Sequence, residues 1–302
     1  IFTTLYNYFI ISDDVEISLE ANPDDVNETW VKQILNSRVN RLSIGVQSFY
    51  DTDLKYLNRI HTADDALRSV KMAQDLGIDN LTIDLIYGIP GLTDDKWKQN
   101  LEIFNSLDIP HLSAYSLTVE QKTALDVLIN KKKVKAPEEN ESIAHFKTLQ
   151  GFMEKHGYVH YEISNFAREG FYSKHNSLYW TGGHYLGLGP SAHSYNGHSR
   201  RWNKASMKDW FSLNDYYSES FEEEVLTLDQ RYNEYVMTSL RTIWGCDLSV
   251  VKQEFGPDYY EYLMDQAEKH VYDSMIYEDK KRIFLTPKGK LFADGIAADL
   301  FK

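Results

Sequence analysis

The chain has 302 residues, 42% hydrophobic and 14% aromatic, enough apolar side chain for one large domain and a smaller one. Its formal net charge of -13 argues against broad phosphate-backbone binding, because an acidic surface repels nucleic acid and forgoes counterion release. No stretch approaches the roughly 20 apolar residues of a membrane span, and a lone Cys246 excludes an internal disulfide framework and fits a reducing cytoplasm.

Residues 1–9 lack an initiator Met, a basic region and a small-residue cleavage site, so they are not a signal peptide. They read as the tail of a helix, and the expectation is that the chain is a piece of a longer protein. Strand-like runs at about 15–21 and 41–47 flank helical spacing, the pattern of βα units. The next helix carries Ala63, Ala66, Leu67, Val70, Ala73 and Leu76 on one face; Thr62 and Asp65 form a capping box at its start and Gly77 closes it. A strand at 81–87 leads through a turn to a helix capped by Thr93 that points Trp97, Leu101 and Phe104 inward, and a strand follows at 111–117. Each crossover is long enough for a helix, so four parallel strands are predicted, too few to close a barrel alone.

The run Lys131, Lys132, Lys133 reads as a solvated loop. A helix with Ile143, Phe146, Leu149 and Met153 then ends at Gly157, and the composition turns rich in Tyr, Trp, His and Gly. This gives three predicted regions: a partial barrel over 1–157, a linking α+β region over 158–225, and a module over 226–302. In the last, helix, short helix, helix, a ribbon at 274–285 and a final helix capped by Thr286-Pro287 suggest a winged-helix-like fold. Its recognition stretch carries Lys252 but also Glu254, and the following helix carries Asp258, Glu261, Asp265 and Glu268. That acidic face favours a packing module over a DNA-binding one.

Polar signatures end the predicted strands: Glu20-Ala21-Asn22-Pro23, Gly45-Val46-Gln47-Ser48, and Asp84 followed by Gly88-Ile89-Pro90-Gly91. In a barrel of parallel strands those ends share one mouth, so Glu20, Gln47 and Asp84 line a single pocket. The carboxylates accept hydrogen bonds from an amine or vicinal hydroxyls, Gln47 donates and accepts, and Arg59 can grip a carboxylate through two N–H groups. Together they suit an amino-acid-nucleoside ligand. Any one of them alone serves equally well as a helix cap or loop partner, and Gly88, Pro90 and Gly91 equally well as a plain turn; recurrence at consecutive strand ends favours the ligand.

These segments, with Arg41 through Phe49, Asn58-Arg59 and Ile83 through Pro90, resemble the radical S-adenosylmethionine proteins related to oxygen-independent coproporphyrinogen III oxidase over nearly the whole chain. The resemblance implies an α/β fold, a partial (β/α)6 barrel lacking its first strands. It also implies that Glu20, Gln47, Arg59 and Asp84 contact S-adenosylmethionine, with Tyr115 beside the adenine. That family holds a [4Fe–4S] cluster on three cysteines in a CxxxCxxC loop. No such loop exists here, and Cys246 reads as a small buried apolar side chain, so this chain by itself should neither ligate a cluster nor generate a radical.

His175-Asn176-Ser177-Leu178-Tyr179-Trp180 resembles the HNxxYW signature of the family's heme-chaperone branch. Residue types alone favour caps and core for these side chains; the resemblance turns them toward heme, with His175 as axial iron ligand and Asn176, Tyr179 and Trp180 around the macrocycle. His184 and His193 are reserve iron ligands, though each reads first as a satisfied structural histidine. Gly187 through Ala192 echoes a dinucleotide fingerprint only superficially, since Pro190 removes a backbone N–H, and reads as a loop packed closely against the barrel. The resulting expectation is a cytoplasmic, non-membrane-spanning heme chaperone that delivers heme to membrane-bound respiratory hemoproteins, with S-adenosylmethionine and a [4Fe–4S] cluster in the complete protein. The competing expectation is a radical oxidoreductase acting on a porphyrinogen.

Overall fold

A computed structural model describes residues 1–212 and 220–302; residues 213–219 of the linking region lie outside the described residues. The chain divides into two units, Ile1–Tyr172 and Ser173–Lys302.

In the first unit the order is α1 (Phe2–Tyr8), β1 (Ser18–Ala21), α2 (Glu28–Leu35), β2 (Arg41–Gln47), α3 (Asp51–Tyr56), α4 (Ala63–Asp75), β3 (Leu81–Tyr87), α5 (Asp94–Ser106), β4 (His111–Ser116), α6 (Ala124–Asn130), α7 (Glu139–Lys155), β5 (Val159–Glu162) and β6 (Asn165–Ala167). Local chemistry sets the helix starts. Asn27, Thr62, Thr93 and Thr123 each accept a backbone N–H from the first turn, and Thr62 with Asp65 closes the reciprocal capping box.

Strands β1 to β4 are parallel, and the sheet order is β1-β2-β3-β4-β6-β5. The hairpin β5–β6 adds antiparallel to β4, which makes the expected four-stranded parallel sheet a mixed six-stranded one. Those strands, of four and three residues, are too short for a period-2 pattern to declare itself. A boundary near Tyr158 therefore falls inside the first unit, upstream of two strands that belong to its sheet.

Alternation along the strands gives the sheet two unlike faces. Leu42, Ile44, Val46, Leu81, Ile83, Leu85, Leu112 and Ala114 are fully buried on one of them, where α4 packs on β2 and α7 on β3. Val31, Ala66, Val70, Trp97, Leu101, Phe104 and Leu149 complete this core, each large side chain stabilising the fold by about 1.5–3 kcal/mol. The other face carries Glu20, Arg41, Ser43, Thr82, Asp84, His111 and Ser113. Deep on it, Arg41 donates to the Thr82 hydroxyl at 2.5 Å and His111 bonds the Tyr161 hydroxyl at 2.7 Å.

The second unit runs α8 (Lys174–Trp180), β7 (His193–Tyr195), β8 (Ser199–Asn203), α9 (Met207–Ser212), β9 (Phe221–Val225), α10 (Leu228–Leu240), β10 (Cys246–Asp247), α11 (Leu248–Val250) continuing into a π-helical turn at Val251–Phe255, α12 (Pro257–Tyr272), β11 (Ile276–Asp279), β12 (Arg282–Leu285), a 3-10 turn at Gly289–Phe292 and α13 (Ala293–Asp299). Among the described residues its strands form two antiparallel sheets, β7-β8-β9 and β10-β12-β11. The two-residue β10 turns the predicted ribbon into three strands. Tyr232, Val236, Leu240, Val251, Leu263, Ile283 and Ile296 form its core, and the Tyr232 hydroxyl donates to the Leu300 carbonyl at 3.1 Å. Thr286 accepts the Gly289 N–H at 3.0 Å and opens the 3-10 turn ahead of α13. The expected close packing at Gly187 is present, but its neighbour is the His193 backbone within the same unit.

Candidate functional site

Register decides which side chains of the first unit meet. Glu20 stands beside Ser43, Ser43 beside Thr82, Asp84 beside Ser113, and Ile86 beside Tyr115. With side chains alternating, Glu20, Ser43, Asp84, Ser113 and Tyr115 share the polar face. The Asp84 carboxyl is lifted from 3.8 to about 6 by burial, with the Glu20 charge adding to the rise and the Ser113 and Ser43 hydroxyls and the Arg41 charge opposing it. The Ser43 hydroxyl lies 3.5 Å from Asp84 Oδ1. Tyr115 is exposed as a residue, yet burial of its phenol, then the Asp84 charge, pushes it up to about 12. The floor is rigid: Ser113 donates to Asn165 at 3.1 Å and Asn165 to the buried Glu162 at 2.6 Å.

Gln47 ends β2 with a φ of 67°, a left-handed conformation that turns the chain out of the sheet. Its amide lies over Gly45, where an added Cβ would stand 2.8 Å from Gln47 Nε2 and 3.9 Å from Asn22 Oδ1. Gly45 therefore lets Gln47 fold back toward the end of β1, two residues beyond Glu20. A buried network holds the following turn: Asn100 accepts the Phe49 N–H at 2.8 Å and Ser48 donates to Asp53 at 2.8 Å. Arg59 sits in the loop between α3 and α4. His61, two residues on, bonds the Val46 carbonyl at 3.1 Å, which fixes that loop at the carboxyl end of β2. The Arg59 side chain is exposed, and no contact ties it to Glu20, Gln47 or Asp84. The structure thus gathers Glu20, Asp84 and Tyr115 on one face, sets Gln47 at its rim, and leaves Arg59 at the same end in solvent.

After β3 the chain turns at Gly88, whose φ is 71°. The Gly88 N–H donates to His145 Nδ1 at 3.1 Å, and His145 Nε2 stands 3.4 Å from Asp94. Since Nδ1 accepts, the neutral tautomer places its proton on Nε2, facing the carboxylate. Burial lowers the His145 pKa against the pull of Asp94 and Glu141. Sequence reasoning missed this support, together with Ser43, Ser113 and Asn165. The serines were signalled by polar residues alternating with Leu42, Ile44, Leu112 and Ala114; His145 gave no local signal.

In the second unit, α8 starts at buried Ser173, whose hydroxyl accepts the Asn176 N–H at 3.2 Å. His175 and Tyr179, one turn apart, are both exposed; the Tyr179 hydroxyl lies 3.1 Å from His175 Nε2 and the rings meet edge to face at 5.0 Å. Tyr179 also meets Tyr185 edge to face at 4.7 Å, and the Arg241 guanidinium covers Trp180 at 4.9 Å from the ring centre. His184 packs edge-on to Tyr195 and His193 lies near Trp202. Among the described residues no group of three His, Cys, Asp or Glu could hold a metal ion. Burial pushes the Cys246 thiol up to about 12, so it is no thiolate ligand. With a single cysteine, this chain's residues do not fit a [4Fe–4S] cluster.

The family model "Radical SAM superfamily" matches residues 3–103, and "HemN C-terminal domain" matches residues 226–292. The heme chaperone HemW of Bacillus subtilis (strain 168) is 33% identical over 293 residues, covering 94% of this chain and 76% of that protein. HemW of Lactococcus lactis subsp. lactis (strain IL1403) is 32% identical over 277 residues, covering 91% of this chain and 72% of its own length. The solved coproporphyrinogen III oxidase HemN of Escherichia coli, described as a radical SAM enzyme, superimposes with a TM-score of 0.82 at 23% identity. That match covers 99% of this chain and 73% of HemN, and it establishes the fold. The chain belongs to the HemW family within the radical S-adenosylmethionine superfamily.

Proposed function

We propose that this protein is a heme chaperone of the cytoplasm: His175 is the axial ligand to the iron of its heme cargo, Asn176, Tyr179 and Trp180 frame the macrocycle, and a membrane-bound respiratory hemoprotein receives it. The observation that carries the reading is the exposed His175–Tyr179 pair on α8. An imidazole nitrogen held by a phenol one turn away is oriented yet exchangeable, so iron can replace the hydroxyl as its partner, and the reverse exchange releases the cargo. Among the described residues no helix is long and apolar enough to cross a membrane.

The polar face of the first unit suits S-adenosylmethionine. Two carboxylates within electrostatic reach of each other, one of them lifted to about 6, favour a cationic ligand with hydroxyl and ammonium donors. Glu20 and Asp84 would accept from its amine and ribose, Gln47 would hydrogen-bond at the rim, Arg59 would take the carboxylate, and Tyr115 would lie beside the adenine. When bound, S-adenosylmethionine supplies a sulfonium-activated carbon. Cluster ligands are not among this chain's residues, so what its own side chains do is bind and orient.

Heme titrated into the full-length protein and its His175→Ala variant, followed in the Soret band, tests the cargo site. The variant should bind more weakly and lose the spectrum of a histidine-ligated iron. Unchanged affinity and spectrum would remove His175 from the role.

A further inference from the structure

The second unit contains a cavity of about 430 Å³ that shares a wall with the His175 pair. Tyr179, whose hydroxyl holds His175 Nε2, lines it together with Trp180, Tyr195 and Tyr235. Such a volume lies within the range of small-molecule sites, and six aromatic side chains, with Tyr185 and Phe255 among them, give flat apolar walls. Charge is concentrated at one place. Arg200 and Glu234 form an ion pair at 2.8 Å, and Arg231 lines the cavity with no ion pair among the described residues. The Tyr195 phenol, pushed up mainly by burial, also feels Glu234, Arg200, Arg231 and Tyr185, and the Arg200 guanidinium lies 5.8 Å from its ring centre. With Glu254 the lining holds two guanidinium groups and two carboxylates and is neutral as a whole; once Arg200 pairs with Glu234, Arg231 is the guanidinium left for an anionic group on an aromatic ligand. Glu254 also lines the cavity and disfavours a carboxylate beside itself, so an acidic ligand edge is favoured only next to Arg231.

We propose that this cavity receives the propionate-bearing edge of heme, with Arg231 as the partner of a propionate carboxylate. The inference rests on the reading of His175 as the iron ligand and adds to it the group that fixes which edge of the macrocycle enters. Helix geometry supports it: Arg231, Glu234, Tyr235 and Thr238 fall at i, i+3, i+4 and i+7 on the face of α10 that lines the cavity, and α10 packs against α8.

The test compares heme with heme dimethyl ester, whose propionates carry no charge, in Soret titrations of the wild-type protein and of Arg231→Gln and Arg231→Lys. The expected result is about tenfold weaker binding of the ester to wild type, from loss of a charge-assisted hydrogen bond. Arg231→Gln should bind heme about tenfold more weakly, bind the ester as wild type does, and be largely rescued in Arg231→Lys. Heme and ester bound equally tightly by wild type overturns the proposal without calling on any variant, as does Arg231→Gln binding heme normally; in both cases the heme-chaperone reading survives. If wild type binds neither compound, that reading fails and this inference falls with it.

Discussion

Asp84→Asn probes the polar face directly. The carboxyl ionises at about 6 rather than 3.8 because burial and the Glu20 charge penalise its ionised form more than the Ser113 and Ser43 hydroxyls and the Arg41 charge offset. Ionised Asp84 therefore costs the folded state about 3 kcal/mol relative to the unfolded chain at neutral pH. The folded protein keeps the proton to higher pH than the unfolded chain does. Between 3.8 and about 6 the native state binds more protons, so this group's contribution makes stability fall as pH rises through that window. Below the window the penalty is absent; above it the penalty is complete. Asparagine keeps an oxygen for the two hydroxyls and carries no charge, so the variant should gain up to about 3 kcal/mol at neutral pH and little near pH 4. Urea unfolding of both proteins across this range, without ligand, gives the difference at each pH. The same variant should bind S-adenosylmethionine more weakly, since one of the two carboxylates that favour a cation is lost. A stability difference that does not change with pH, or a variant less stable than wild type at neutral pH, would refute the account.

Gly45→Ala places a Cβ 2.8 Å from Gln47 Nε2, the movable end of a flexible side chain. Its melting temperature should change little while S-adenosylmethionine affinity falls, and unchanged affinity by calorimetry would detach Gln47 from the site. Asn100→Ala leaves the buried Phe49 N–H without its acceptor and should cost about 1–3 kcal/mol in denaturant unfolding. A loss well below that would mean the turn after β2 has another anchor. Gly289→Ala drives a Cβ to within 1.9 Å of the Met275 carbonyl oxygen, backbone against backbone. Destabilisation of the second unit by about 3 kcal/mol or more is expected, measured as loss of its cooperative unfolding, and a wild-type transition would contradict the packing.

Much of the first unit is legible along the chain because its signals are local. The Thr62–Asp65 box, the Thr93 cap and the alternation of Leu42, Ile44 and Val46 with polar neighbours are read within a few residues, and they place β2, α4 and α5. Glu20 and Asp84 could be grouped because parallel strand ends share one mouth, Tyr115 was added only by the family resemblance, and the pairing register of the structure puts the three on one face. The hairpin β5–β6 was not legible: its pairing with β4 joins residues about fifty positions apart, such as Leu112 and Phe166, through strands too short to show a period.

What the sequence determined by itself is a set of chemical groups, two carboxylates and an amide at strand ends and a histidine four residues before a tyrosine; that the last two share one helix is a finding of the structure. Spacing along a helix or strand translates directly into a shared face. Only the tertiary structure decided that burial beside Glu20 raises Asp84, that His145 supports the Gly88 turn, and that Arg231 stands near Tyr195 in an aromatic cavity. The physical reason is range: those effects depend on desolvation and charge at distances through space, between residues that the chain order keeps far apart.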